Sequence, residues 1–164
     1  MTKIFFDSDG VMANLDSAIV IHTQQHYWHT RRISKEHWAI LEQVPNLFYN
    51  LDVMPGAYEM FHAVYKAHPD KVEVLTALPE PTGKLHTSED DKVRWFRQYI
   101  HPTVPVNTVL GGKNKYKWLT DHPGAILIDD YDRNIEQWVA NGGVGILHTD
   151  PHSTIEKLKV LGVL

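Results

Sequence analysis

Cysteine is absent from this chain, which excludes disulfides, thiolate zinc sites and thiol nucleophiles. That composition fits a reducing compartment, and a cytoplasmic location is the expectation. Long apolar runs are missing as well. No stretch approaches the roughly 20 residues that a membrane-spanning helix needs, and Met1-Thr2-Lys3 leads straight into a strand-like segment where a secretory h-region would stand. A soluble chain with no membrane partner is expected. There is no excess of positive charge: the formal net charge is −4 and the pI is near 6.2. An extended nucleic-acid surface, which needs clustered lysine and arginine, is therefore not expected, and an anionic partner would have to be small and locally held. Internal repeats and low-complexity tracts are also lacking. The 164 residues suffice for one domain that buries roughly 70% of its unfolded surface without a staple.

What is present begins with Ile4-Phe5-Phe6-Asp7-Ser8-Asp9-Gly10-Val11, an apolar strand ending in two carboxylates one residue apart. Side chains two apart on a strand share a face, so Asp7 and Asp9 can converge just beyond its end. Buried carboxylates are costly unless something cationic lies between them, and a bound Mg²⁺ is the economical reading. A strand-end turn uses the same residues. A calcium loop does not fit, because glycine stands fourth in the run and Val11 occupies the fifth position, where an oxygen ligand is required.

Five short apolar or β-branched runs read as buried strands: 3–6, 72–75, 106–110, 125–128 and 144–147. Helical patterns lie between them at 58–67, 89–99, 116–120 and 134–140, with 154–160 closing the chain. This alternation predicts an α/β fold, an open parallel five-stranded sheet with helices on both faces. In such sheets the ligand sits outside the carboxyl ends of the strands. Residues 13–52 are more than a crossover requires. They predict a small helical cap, with helices at 16–30 and 35–43, inserted after strand one into a core of 1–12 and 53–164. The chain has eleven histidines, and His22, His26 and His29 share a helical face, but no nearby carboxylate or cysteine completes a metal site.

The strand ends carry Asp7 and Asp9, Thr76, Gly111-Gly112-Lys113 and Asp129-Asp130, in that chain order. Together with the DxDG start, Leu75-Thr76-Ala77 and Ile126-Leu127-Ile128-Asp129-Asp130, this set resembles the four motifs of the haloacid dehalogenase-like phosphohydrolases. The resemblance spans nearly the whole chain and implies a Rossmann-like core. It further implies that Asp7 is the nucleophile that forms an aspartyl-phosphate, and that Asp9 is the acid and base. Gly10 lets the chain bend away from the phosphate. Thr76 would hold a phosphate oxygen, with the amides around Ala77 assisting. Mg²⁺ would be held by Asp7, the Asp9 carbonyl, Asp130 and, through water, Asp129. Seen alone, Asp129-Asp130 would suit a helix cap. Lys113 is expected over Lys115 as the phosphate lysine, because two glycines place it at the first turn of the following helix; Lys115 stands beside it as a second candidate.

Two further segments, Leu47-Phe48-Tyr49-Asn50-Leu51-Asp52-Val53-Met54-Pro55-Gly56 and Asp91-Lys92-Val93-Arg94-Trp95-Phe96, resemble the 5'(3')-deoxyribonucleotidases. That resemblance implies a nucleoside monophosphate substrate with Phe48 and Tyr49 against the base, and Leu15 and Trp38 as looser contacts. Another small phosphomonoester is the alternative. Receiver domains of phosphorelay signalling use similar residue types, but there the acidic pair follows the first strand, whereas here Asp129-Asp130 comes late. A homodimer is left open.

Overall fold

The computed structural model describes residues 2–26 and 33–164. Five parallel strands, β1 (Ile4–Phe6), β2 (Val72–Leu78), β3 (Val106–Leu110), β4 (Ile126–Asp129) and β5 (Val144–Leu147), form one sheet in the order β3-β2-β1-β4-β5. The predicted α/β class is what the chain adopts. Six α-helices are described: α1 (Leu15–Thr23), α2 (Lys35–Leu41), α3 (Ala57–Ala67), α4 (Ser88–Tyr99), α5 (Asp132–Ala140) and α6 (Pro151–Val160). Two 3-10 segments, Gly83–Thr87 and Gly112–Thr120, complete the set.

Strand alternation divides the core between the two faces of the sheet. Ile4 and Phe6 of β1 point to one face and join Val72, Val74, Phe61, Trp95 and Phe96. Phe5 points to the other, against Leu75, Leu119, Leu127 and Trp138. Each face is locked by an indole whose N–H reaches a carbonyl: Trp95 donates to Leu51 and Trp138 to Ala125, both at 2.8 Å. Around Trp138 the fit is close. A Cβ on Gly143 would lie 2.2 Å from the Trp138 Nε1, so only glycine fits there.

Among its described residues, the 13–52 insert shares the core of the sheet: Ile19, Leu41, Leu47, Phe48 and Leu51 pack into the same apolar cluster as β1. Its entry and exit are zipped together: the Asn14 amide donates to the Asp52 carbonyl and the Met54 amide to the Met12 carbonyl, each at 2.8 Å. Helix α1 starts at an Asn14 cap, whose side chain accepts from the Ser17 amide, and stops at Thr23. The expected helix over 16–30 is thus shorter, since Gln24 takes a left-handed conformation that breaks the helical path. His29 and the rest of that expected helix beyond His26 lie outside the described residues. Helix α2, expected to reach 43, ends at Leu41. Strand β2 runs past its expected end at 75, because residues 76–78 pair with Thr108 to Leu110 of β3. The helix expected over 116–120 is a longer 3-10 segment, Gly112–Thr120. No helix among the described residues is long and apolar enough to cross a membrane.

Candidate active site

The strand order reverses between β1 and β4, and that switch point is where open parallel sheets leave a crevice. Register then brings the acidic residues together. Phe6 pairs with Ile128 on one side and Val74 on the other, so Asp7 falls level with Asp129, and Ser8 with Thr76. Adjacent strands lie about 4.8 Å apart. One ligating oxygen from each of Asp7, Asp129 and Asp130 accordingly lies within 4.8 Å of the others. After Asp7 the chain turns sharply. The Ser8 carbonyl accepts from the amides of Met12 and Ala13 at 2.8 and 2.9 Å. Gly10 takes φ +81°, a left-handed conformation that glycine adopts without penalty. Asp9 is left facing the cleft.

Two buried ammonium groups reach these carboxylates from opposite faces of the sheet. Lys115, from the Gly112–Thr120 segment on the Phe5 face, lies 2.7 Å from Asp7 Oδ1 and 2.7 Å from Asp129 Oδ2. Lys92, from α4 on the Phe6 face, lies 2.5 Å from Asp9 Oδ2 and donates to Thr76 Oγ1 at 3.1 Å. Asp129 is saturated: its Oδ1 accepts from the Tyr131 amide at 2.8 Å, and its Oδ2 accepts from Asn134 at 3.0 Å as well as from Lys115. By contrast Asp9 Oδ1 is buried without a hydrogen-bond partner.

Burial pushes the Asp7 carboxyl up from 3.8 to about 6; Lys115 opposes the rise, while Asp129 and Asp9 add to it. Burial would also weaken the hold of Lys115 on its proton, but Asp129 and Asp7 outweigh it and keep the ammonium well above its usual range. With all groups ionised, Asp7, Asp9, Asp129 and Asp130 carry four negative charges and Lys92 and Lys115 two positive ones. Two negative charges remain on a set of oxygen donors. That balance and donor type suit a hard divalent cation.

A cleft of about 340 Å³ opens over these groups. Asp7, Asp9, Ala77, Gly112, Lys113 and Asp130 line its floor and rim, and Leu15, Ile19, Trp38 and Phe48 of the insert supply an apolar wall.

Most of the expected residues meet here, the two candidate lysines take different places, and Tyr49 stays outside the cleft. The lysine between the carboxylates is Lys115, while Lys113 is exposed at the cleft. Lys115 and Leu119 are the buried positions of the 3-10 segment, and Leu119 packs into the core on the Phe5 side of the sheet. Of the two aromatic candidates, Phe48 lines the cleft but Tyr49 does not; its ring packs 4.3 Å from the Arg94 guanidinium and 6.2 Å from Tyr99. Consecutive residues of this segment point apart. The looser candidates Leu15 and Trp38 do reach the cleft.

Lys92 and Asn134 were not among the expected site residues. A signal for Lys92 existed, since it shares the buried stripe of α4 with Asp91, Trp95 and Phe96, and a lysine at a core position needs a buried partner. Asn134 carried no such signal.

Neither a protein-family model nor a curated protein matches the chain. The residues and their geometry therefore carry the functional assignment alone.

Proposed function

We propose that this protein is a Mg²⁺-dependent phosphomonoesterase acting on nucleoside monophosphates through an aspartyl-phosphate. The observation that carries this reading is the clustering of the Asp7, Asp129 and Asp130 oxygens within 4.8 Å, with Lys115 buried against the first two. Asp7 and Asp130 would hold the cation directly, along with the Asp9 carbonyl. Asp129, already bonded at both oxygens, would act through water. When bound, the cation keeps Asp7 ionised and draws charge from the phosphoryl oxygens.

Asp7 attacks phosphorus as the bond to the leaving oxygen breaks, and Asp9 gives that oxygen a proton. Water then attacks the aspartyl-phosphate, Asp9 takes its proton, and phosphate departs from a regenerated Asp7. Lys92 pairs with Asp9 Oδ2, and Oδ1 is the carboxyl oxygen without a hydrogen-bond partner. The Thr76 hydroxyl accepts from Lys92 and so has its hydrogen free for a phosphate oxygen. Lys115 balances charge on Asp7 through the transfer, and Lys113 at the cleft adds a cation for the incoming dianion. Trp38 and Phe48 give the leaving group flat apolar walls, which supports a nucleoside.

Phosphate release over a panel of nucleoside and sugar monophosphates, with Mg²⁺ and with EDTA, tests the reading. Activity that needs Mg²⁺, favours nucleotides and vanishes in Asp7→Asn is expected. Release that survives chelation or that substitution would refute it.

A further inference from the structure

Resting on that phosphatase reading, we propose that Lys92 is a positioning residue that couples the filled cleft to the proton-transfer step. Its ammonium touches three groups at once: Asp9 Oδ2 at 2.5 Å, Thr76 Oγ1 at 3.1 Å, and the face of Phe48, whose centroid lies 4.4 Å away. Lys92 is 2% exposed, so water does not compete for these contacts. An ammonium has three donors and no acceptor, and this arrangement sorts the atoms around it. By pairing with one oxygen of Asp9 it fixes the orientation of the carboxyl, whose other oxygen, Oδ1, has no hydrogen-bond partner. By donating to Thr76 it leaves that hydroxyl's hydrogen free for another acceptor.

The contact with Phe48 makes the sorting depend on the insert. Phe48 lines the cleft and carries Lys92 against its ring. Helix α4 grips the same short segment twice more: Arg94 lies over Tyr49, and the Trp95 indole donates to the Leu51 carbonyl at 2.8 Å. A leaving group packed on Phe48 thus restrains the ring, the ring restrains the ammonium, and the ammonium sets Asp9 and Thr76. Cation–π and charged hydrogen bonds are both strengthened when desolvated, as here.

Dependence on the leaving group tests the idea. A nucleoside alkoxide needs a proton as its bond to phosphorus breaks, whereas a nitrophenolate leaves with little help. Positioned acid–base groups contribute on the order of 100-fold or more. Lys92→Met is therefore expected to lower kcat on a nucleoside monophosphate by about 100-fold with KM nearly unchanged, and to lower kcat on p-nitrophenyl phosphate by less than about 10-fold. A general structural defect would depress both esters alike, and that result would overturn the proposal. Phe48→Leu keeps every charge and removes only the ring. It is expected to show the same split at smaller size, and it decides the matter if Lys92→Met fails to fold. An equal fall on both esters in Phe48→Leu, or an effect on KM alone, would also overturn it. Wild-type protein that releases phosphate from neither ester would remove the phosphatase reading as well, an outcome distinct from the equal-fall result.

Discussion

Replacing Lys115 with methionine removes one buried cation of similar length and leaves Asp7 and Asp129 facing each other. Each carboxylate lies 2.7 Å from the ammonium. At an effective dielectric near 20 each contact is worth about 6 kcal/mol of gross attraction, which is set against a desolvation cost of several kcal/mol per ion. The net loss on breaking such a buried pair is about 3–5 kcal/mol. Lys115→Met should therefore lose about that much stability near pH 8 in EDTA, measured by urea unfolding followed through tryptophan fluorescence. Two further conditions separate charge from packing. Near pH 5 Asp7 can take up a proton, so the deficit should shrink. Saturating Mg²⁺ stabilises both proteins by mass action, about 2.7 kcal/mol at a hundredfold excess over Kd, but it restores positive charge beside Asp7 only where Lys115 is gone, so the variant gains more and the deficit should shrink there too. A deficit below about 1 kcal/mol, or one of equal size in all three conditions, would refute the charge assignment made for Lys115.

The raised Asp7 value fixes a sign for pH. Folded Asp7 holds its proton up to about 6 and unfolded Asp7 only to 3.8, so the metal-free protein should lose stability as pH rises through that window, by on the order of 3 kcal/mol if this group acted alone. Denaturation of the apo protein between these limits checks it, and in the same window Mg²⁺ binding should release a proton and weaken as pH falls. Tyr49→Phe should leave base preference unchanged while Phe48→Ala alters it, as read from relative kcat/KM over a nucleotide panel, because only Phe48 lines the cleft. Gly143→Ala forces a methyl into the Trp138 ring and should cost about 1–3 kcal/mol in urea unfolding, with activity retained in the folded fraction.

The sequence was legible where structure is local. Alternating apolar runs and amphipathic stretches mark the order of strands and helices, because burial on both faces demands continuous apolar strands. The ends of those strands were legible too: Asp7 and Asp129 each follow directly on an apolar run, with Asp9 and Asp130 within two residues of them, and such runs end at a sheet's carboxyl edge. Thr76 was found for the same reason, although β2 continues two residues beyond it. Boundaries that depend on pairing or on one backbone turn were not legible, as with β2, extended by β3, and α1, ended by the left-handed Gln24.

By itself, then, the sequence determined a parallel α/β chain whose strand ends carry a row of carboxylates, since both properties are written in consecutive residues. Only the tertiary structure decided which cations answer them. Lys115, a buried position of the 3-10 segment, stands between Asp7 and Asp129, whereas Lys113 is exposed. Lys92 reaches Asp9 from α4, more than eighty residues along the chain, because Trp95 and Phe96 seat that helix on the opposite face. Phe48 rather than Tyr49 faces the cleft because Arg94 and Tyr99 hold the latter outside. Each of these choices depends on how one element is rotated and seated against another, which no run of consecutive residues specifies.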